Sequence, residues 1–234
     1  MESRVVEVMA KIPCGSNTEC YMDLKEYLEL YAQLHELIDS INIEVEVERG
    51  KYPLMEGVKN VEEVAGKTAE VLKAVGVGID EAEIIDSVRN ISGRSELGHL
   101  ASYVFRRIAF RGLRNKMGSP TWISGRCPVC GLTPITGIYR KVPHEFYTQT
   151  KLELYCLCGF SLEHTPFNCP SCGNSDRSRF EVLLLNKVKI QRCMSCGHMI
   201  AIIDEDPFIF KDLAHVIAAY SIVRVMSAEE RQGQ

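Results

Sequence analysis

The sequence predicts an α+β protein: an N-terminal all-α domain, then two small β modules built on paired cysteines, then a C-terminal helix. Three observations carry this reading. Apolar residues keep a helical period through roughly the first 115 residues; four tight cysteine pairs then fall between positions 127 and 196; and a last apolar-periodic stretch runs from Phe210 to Val225. The expected division is a helical domain over 1–120, a first metal module over 121–166, and a second over 167–234 with the closing helix.

The chain has 234 residues, 46% apolar and 25% charged, enough to bury a core and close to the globular average. That composition excludes disordered, collagenous and low-complexity classes. No apolar run approaches the roughly 18 to 20 residues of a membrane helix. The opening MESRVVEVMAKIPCG lacks the long apolar segment of a secretory signal, Glu7 interrupting it. A cytoplasmic protein without a membrane span is expected. Charge is uneven: residues 1–96 hold 10 basic and 20 acidic groups, residues 97–144 hold 8 basic and no acidic ones, and residues 145–234 hold 9 and 11. One concentrated positive stretch therefore interrupts an acidic chain.

From Asp23 to Ile41, Leu24, Leu28, Tyr31, Leu34, Ile38 and Ile41 share one helical face. Asp23 with Glu26 can form a capping box, as can Asn60 with Glu63 ahead of a helix to about Val75, and Asp80 with Glu83 ahead of one to about Ile91. Gly76, Gly78 and Gly93 punctuate these helices. Ile43, Val45 and Val47 alternate with glutamates, which suits a short extended segment ended by Gly50 and Pro53. A helix from about Ser95 to Lys116 presents Leu97, Ala101, Val104, Phe105 and Ile108 as its apolar face. Arg107, Arg111 and Arg114 form a stripe beside that face. A solvated flank, or stems covering apolar surface, is the plainer reading of the stripe; a docking strip for an acidic partner is the sharper one.

Gly118-Ser-Pro120 ends the helical half. Beyond it, Leu152-x-Leu154-x-Cys156 and Val188-x-Ile190 alternate between turn residues, as short β-hairpins do. The polar tail from Ala228 onward is expected to fray.

The cysteine pairs are Cys127-Pro-Val-Cys130, Cys156-Leu-Cys158, Cys169-Pro-Ser-Cys172 and Cys193-Met-Ser-Cys196, each followed by glycine. Disulfides are rare in the reducing cytosol, so such pairs read as metal ligands. Two such turns facing each other make a tetrahedral four-thiolate site. Between Cys130 and Cys156 lie 25 residues, and between Cys172 and Cys193 lie 20, so sequential pairing gives two modules. Interleaved pairing is the alternative; the 10 residues between Cys158 and Cys169 suit a linker better. Modules this small need the metal to fold. With four sulfurs in place no coordination position is open, which argues against metal hydrolysis and for a protein that is not an enzyme. Tetrahedral sulfur suits iron and zinc alike.

His144 or His164 is a spare ligand for the first site, and the other histidines read as structural. Cys14 and Cys20 read as free thiols. No Walker loop, dinucleotide glycine loop or G-x-S-x-G motif is present. The shortened second pair, with one residue between its cysteines, should weaken the first site.

The segment from Arg126 to Tyr220 resembles the formate dehydrogenase accessory protein family, the FdhE type. The resemblance rests on CPVCGLTPITG with Pro134 and Gly137, LELYCLCG, CPSCG, VKIQRCMSCGHMIAI with Arg192, and DPFIFKDLAHVIAAY. The helical first half resembles the family in general layout, with the Pro53-Leu54 turn as its one landmark. The resemblance implies a helical domain followed by two rubredoxin-like, zinc-ribbon modules holding two iron ions, with zinc the competing metal. It implies Cys127, Cys130, Cys156, Cys158, Cys169, Cys172, Cys193 and Cys196 as ligands. The implied role is maturation of formate dehydrogenase through contact with its catalytic subunit. The family's second pair is C-x-x-C, and Cys156-Leu-Cys158 is one residue short of it. Competing readings are a zinc-ribbon nucleic-acid adaptor using the basic stretch and a small rubredoxin-type redox carrier. The acidic remainder of the chain and the lack of a basic, aromatic β-surface speak against nucleic acid.

Overall fold

A computed structural model of the chain describes residues 14, 18–48, 51–90, 95–117, 125–185, 187–204 and 211–232. Gly50, Gly93, Gly118–Pro120 and Phe210, expected to mark element ends, lie outside these residues, as does the side chain of Cys20. Among the described residues five α-helices flank one six-stranded sheet: α1 (Thr18–Ser40), α2 (Val61–Ala74), α3 (Glu81–Arg89), α4 (Glu96–Leu113) and α5 (Lys211–Gln232), with β1 (Thr136–Pro143), β2 (Thr148–Tyr155), β3 (Ser161–His164), β4 (Phe180–Leu185), β5 (Val188–Cys193) and β6 (Met199–Asp204); short 3-10 turns lie at Leu54–Gly57 and Arg177–Arg179. None of the described helices is long and apolar enough to cross a membrane.

One of the expected caps forms, and a second appears at Ser95, where a helix is expected to start. The Asp80 carboxylate accepts from the Glu83 N–H at 2.8 Å, and the Ser95 hydroxyl accepts from the Gly98 N–H at 3.1 Å, each satisfying a free donor of a first turn. Asn60 does something else. Its amide accepts from the Glu46 N–H (3.0 Å) and donates to the Glu44 carbonyl (2.9 Å) and the Glu63 carboxylate (2.7 Å), tying the extended segment to the start of α2. That segment, the alternating Ile43–Val47 run, has only one bridge, Val47 to Val58, so a side chain supplies the partners a neighbouring strand would give. Helix α1 begins before Asp23, which lies inside it, and α5 continues through the expected fraying tail to Gln232.

Helix α4 is the centre of the helical half. Ala101, Ser102, Tyr103, Val104, Phe105, Arg106, Ile108 and Ala109 are all buried, a surface nearly all round the helix rather than one face. Leu97, placed on the apolar face by periodicity, is 46% exposed because the first turn projects beyond the core.

The sheet order is β3-β2-β1-β6-β5-β4. Each half is an antiparallel meander, and the halves join where β1 runs parallel to β6, Thr136 opposite Ala201 through Tyr139 opposite Asp204. The two cysteine-bearing stretches thus share one continuous sheet. One sheet face packs Ile138, Val188, Ile190, Ala201 and Ile203 beneath Leu213, Ala214 and Ile217 of α5 and Leu24 and Leu28 of α1. A second core joins α1–α4 to the first two cysteine turns through Cys127, Val129, Cys130, Cys156, Cys158 and Phe160. Between the two cores sits a polar seam: His215 meets the Thr136 hydroxyl at 3.1 Å and stacks on Tyr103, whose hydroxyl hydrogen-bonds to His35.

Candidate metal centres

Each cysteine turn is locally determined. In Cys127–Gly131 the Gly131 N–H donates to the Cys127 carbonyl (2.8 Å) and the Cys127 N–H to the Leu132 carbonyl (2.9 Å). Cys169–Gly173 and Cys193–Gly197 repeat the pattern, with Asn174 and His198 closing them. Gly131 takes φ +76, which a side chain would resist, and a Cβ there would come within 2.7 Å of Pro53 Cγ. The second turn, Cys156-Leu-Cys158-Gly159, is one residue tighter: Gly159 N–H donates to the Cys156 carbonyl (2.9 Å), and Cys156 N–H to the Phe160 carbonyl (2.9 Å). The missing residue shortens the turn without losing its two closing bonds.

Pairing is sequential. Cys127, Cys130, Cys156 and Cys158 form one group and Cys169, Cys172, Cys193 and Cys196 the other, the sulfurs of each lying within 4.8 Å of one another. Cys127 Sγ is 3.7 Å from Cys158 Sγ, Cys169 Sγ 3.6 Å from Cys196 Sγ, and Cys172 Sγ 3.7 Å from Cys193 Sγ. A tetrahedral ion with metal–sulfur bonds of about 2.3 Å sets its sulfurs about 3.8 Å apart, so these groups fit such an ion. Cys130 and Cys156 are closer, at 3.3 Å. The tightened turn therefore compresses one edge of the first group while still delivering the Cys156 sulfur to it. His144 stacks on Tyr147, and His164 meets the Asn168 carbonyl at 2.6 Å; neither joins a sulfur group.

The two groups differ in surroundings. All four cysteines of the first are buried; in the second, Cys172 and Cys196 are exposed. Burial pushes the Cys156 and Cys158 thiols well up, whereas hydrogen bonds from Cys127, Cys156 and Cys158 hold Cys130 low. In the second group burial raises Cys169 to about 12. Burial also pushes against ionising Cys193, but hydrogen bonds from the Ser195 N–H and from the Cys172 and Cys169 thiols bring it down to about 7. Four thiolates so close repel one another, and a cation at their centre is what permits all four to lose their protons.

The helical half encloses the first group. Leu54 and Met55 N–H donate to the Pro128 and Val129 carbonyls (2.9 and 2.8 Å), so the Pro53-Leu54 turn seats directly on the first cysteine turn. Buried Arg106 donates to the Cys130 carbonyl (2.9 Å), the Val88 carbonyl (3.0 Å) and the Ser102 hydroxyl (3.1 Å). Sequence reasoning passed over Arg106; its signal was an arginine within the apolar run Tyr103–Ile108. Its neighbour Arg107 lies over the Tyr103 ring, with its guanidinium about the position a Cβ on Gly159 would approach, at 3.0 Å. Arg111 holds the end of α1 through the Asp39 carboxylate and the Ile41 carbonyl, and Arg114 is exposed. The arginine stripe is thus divided among three surroundings. Cys14, expected as a free thiol, is disulfide-bonded.

No family model and no curated protein matches the sequence. The structure does match the crystal structure of the FdhE protein from Pseudomonas aeruginosa, with a TM-score of 0.58 over 97% of this chain and 90% of that chain, at 14% sequence identity. The chain has the FdhE fold. The match to FdhE spans both halves, so the shared architecture includes the helical half, where sequence offered a general layout and the Pro53-Leu54 turn.

Proposed function

We propose that this protein is a non-catalytic accessory factor for maturation of formate dehydrogenase, carrying two metal ions and contacting the catalytic subunit. The observation that carries the reading is the pair of four-sulfur groups set on an FdhE fold. The motif resemblance from Arg126 to Tyr220 supplies the client. Cys127, Cys130, Cys156 and Cys158 would hold one ion, and Cys169, Cys172, Cys193 and Cys196 the other, iron by resemblance and zinc by the same donor chemistry. Sulfur at all four corners leaves no position for a substrate, so the ions build the fold and present its surface. Work in the cytoplasm, where most thiols stay reduced, suits such sites, the Cys14 disulfide lying apart from both sulfur groups.

The basic stretch speaks against the nucleic-acid reading. Arg106 and Arg111 are engaged with their own chain, as are Lys116 with Glu44 and Arg140 with Glu153. Exposed Arg114 is the member of the arginine stripe we propose for an acidic partner. The test is capture of the formate dehydrogenase catalytic subunit by the purified full chain, alongside a binding assay with single-stranded RNA. Retention of the subunit and no RNA binding is expected; RNA binding without the subunit would overturn the reading.

A further inference from the structure

Strand β4 lies at one end of the sheet. Its pairing with β5 is bonded at alternate residues: the Met194 N–H donates to the Arg179 carbonyl at 2.8 Å, and in register Glu181 faces Arg192 and Leu183 faces Ile190. By the alternation of an antiparallel ladder, the N–H and C=O groups of Val182 and Leu184 point away from β5, off the sheet edge. Their side chains are 48% and 72% exposed, on one face of a strand reading Phe-Glu-Val-Leu-Leu-Leu. Among the described residues nothing pairs with this edge; proteins normally blunt such an edge with lysine, proline or a bulge inside the strand, and β4 has none of these. Its ends are net basic: exposed Arg177, which lies over the Phe167 ring, and Arg179 stand before it beside Asp176, and exposed Lys187 after it.

We propose that β4 is a docking edge on which an extended segment of the client protein adds as a seventh strand, its apolar side chains against Val182 and Leu184 and its flanking carboxylates against Arg177, Arg179 and Lys187. The charges favour this occupant over a second copy of the chain. Antiparallel self-pairing in the register that sets Val182 opposite Leu184, which matches the two apolar side chains, would set Arg179 of each copy opposite Lys187 of the other, like charges directly across a ladder. An acidic-flanked strand meets opposite charge at both ends and gains main-chain hydrogen bonds along its length. Because β4 enters from Arg179, bonded to Met194 in the fourth cysteine turn, the added strand would start beside the second sulfur group. The identity of the client rests on the function proposed above; the edge itself does not.

The test uses Leu184→Pro in the full chain. Proline there removes a donor that points off the sheet and breaks no β4–β5 bond, a placement edge strands tolerate. Two probes are used: the formate dehydrogenase catalytic subunit, and a synthetic peptide of alternating Thr and Val with two Glu at each end, beside its Lys-flanked counterpart. Wild type should bind the Glu-flanked peptide and not the Lys-flanked one, and Leu184→Pro should bind peptide and subunit about tenfold or more weakly, with unchanged metal content. Leu184→Lys, which keeps every backbone group and adds a like charge, should show the same loss and covers the case in which the proline variant fails to fold. Equal binding of the subunit by wild type and both variants would overturn the inference and leave the proposed function standing. Failure of wild type to hold the subunit would remove the proposed function, and the peptides alone would then decide: binding lost in the variants sustains the edge, no binding overturns it. A wild-type dimer that becomes monomeric in Leu184→Lys would also overturn it, by showing the edge taken by a second copy.

Discussion

Arg106 shows how one side chain joins two halves of the molecule. It is buried on α4, yet its guanidinium is spent on carbonyls of Cys130 and Val88 and the hydroxyl of Ser102. Its charge also lies beside a group of thiolates that is anionic once loaded with a divalent ion. Arg106→Met keeps the apolar stem but strands the buried Cys130 carbonyl and the half-buried Val88 carbonyl, so it should lower stability by about 2 kcal/mol and speed metal loss from the first group. Thermal melting and chelator competition on the same variant check both parts. His215 gives a second prediction at this scale. Burial, with help from Arg107 and His35, lowers its pKa to about 3, against 6.5 for a free histidine. The unfolded chain therefore takes up a proton that the folded chain refuses. Stability is full above pH 6.5 and falls towards pH 3 by up to about 1.4 kcal/mol per pH unit. His215→Gln should flatten that slope; denaturant unfolding between pH 5 and 7, with metal content followed, measures it. The grouping of the eight cysteines into two sets was legible because their spacing is local. Arg106 and His215 were not, because their partners come from elements far away in sequence.

The cysteine turns and their strands behave as units with different protection. Tightening of the Cys156 turn compresses one sulfur edge to 3.3 Å, which alone would make the first group the weaker one. Enclosure works the other way: its four cysteines are buried under the Pro53 turn and α4, whereas Cys172 and Cys196 face solvent. A chelator must reach the ion, so access outweighs the strained edge. The second group should release its ion first, at a rate about tenfold faster. Biphasic release assigned with Cys130→Ser and Cys193→Ser checks this, and first release from the buried group would contradict it. Element types followed from pattern: the alternation at Leu152–Cys156 became β2, and the Asp80 and Ser95 caps open the helices they were read to open. Asn60 carries the same cap signature and is used to stitch Glu44 and Glu46 to α2, because tertiary contact offered its amide better partners than the first turn did.

At the scale of the whole molecule, the parallel contact of β1 with β6 fuses what sequence reads as two beads into one sheet. Nothing local marks that pairing, since the partners lie some 65 residues apart along the chain. Gly125 adds a second tie: a Cβ there would collide with the Pro170 carbonyl, so the lead-in to the first cysteine turn and the backbone of the third are in direct contact. With one sheet and contacting turns, the loaded protein should unfold in a single transition whose calorimetric and van't Hoff enthalpies agree. Two resolved transitions would show the modules to be independent.

All of this depends on the sulfur groups holding ions. Elemental analysis of the full chain purified without oxygen, paired with its absorption spectrum, is the most direct measurement. Two ions per chain are predicted, with ferric tetrathiolate bands if they are iron and a colourless sample if zinc, falling to one in Cys130→Ser or Cys193→Ser. Folded protein with its thiols reduced and no bound metal would contradict the claim.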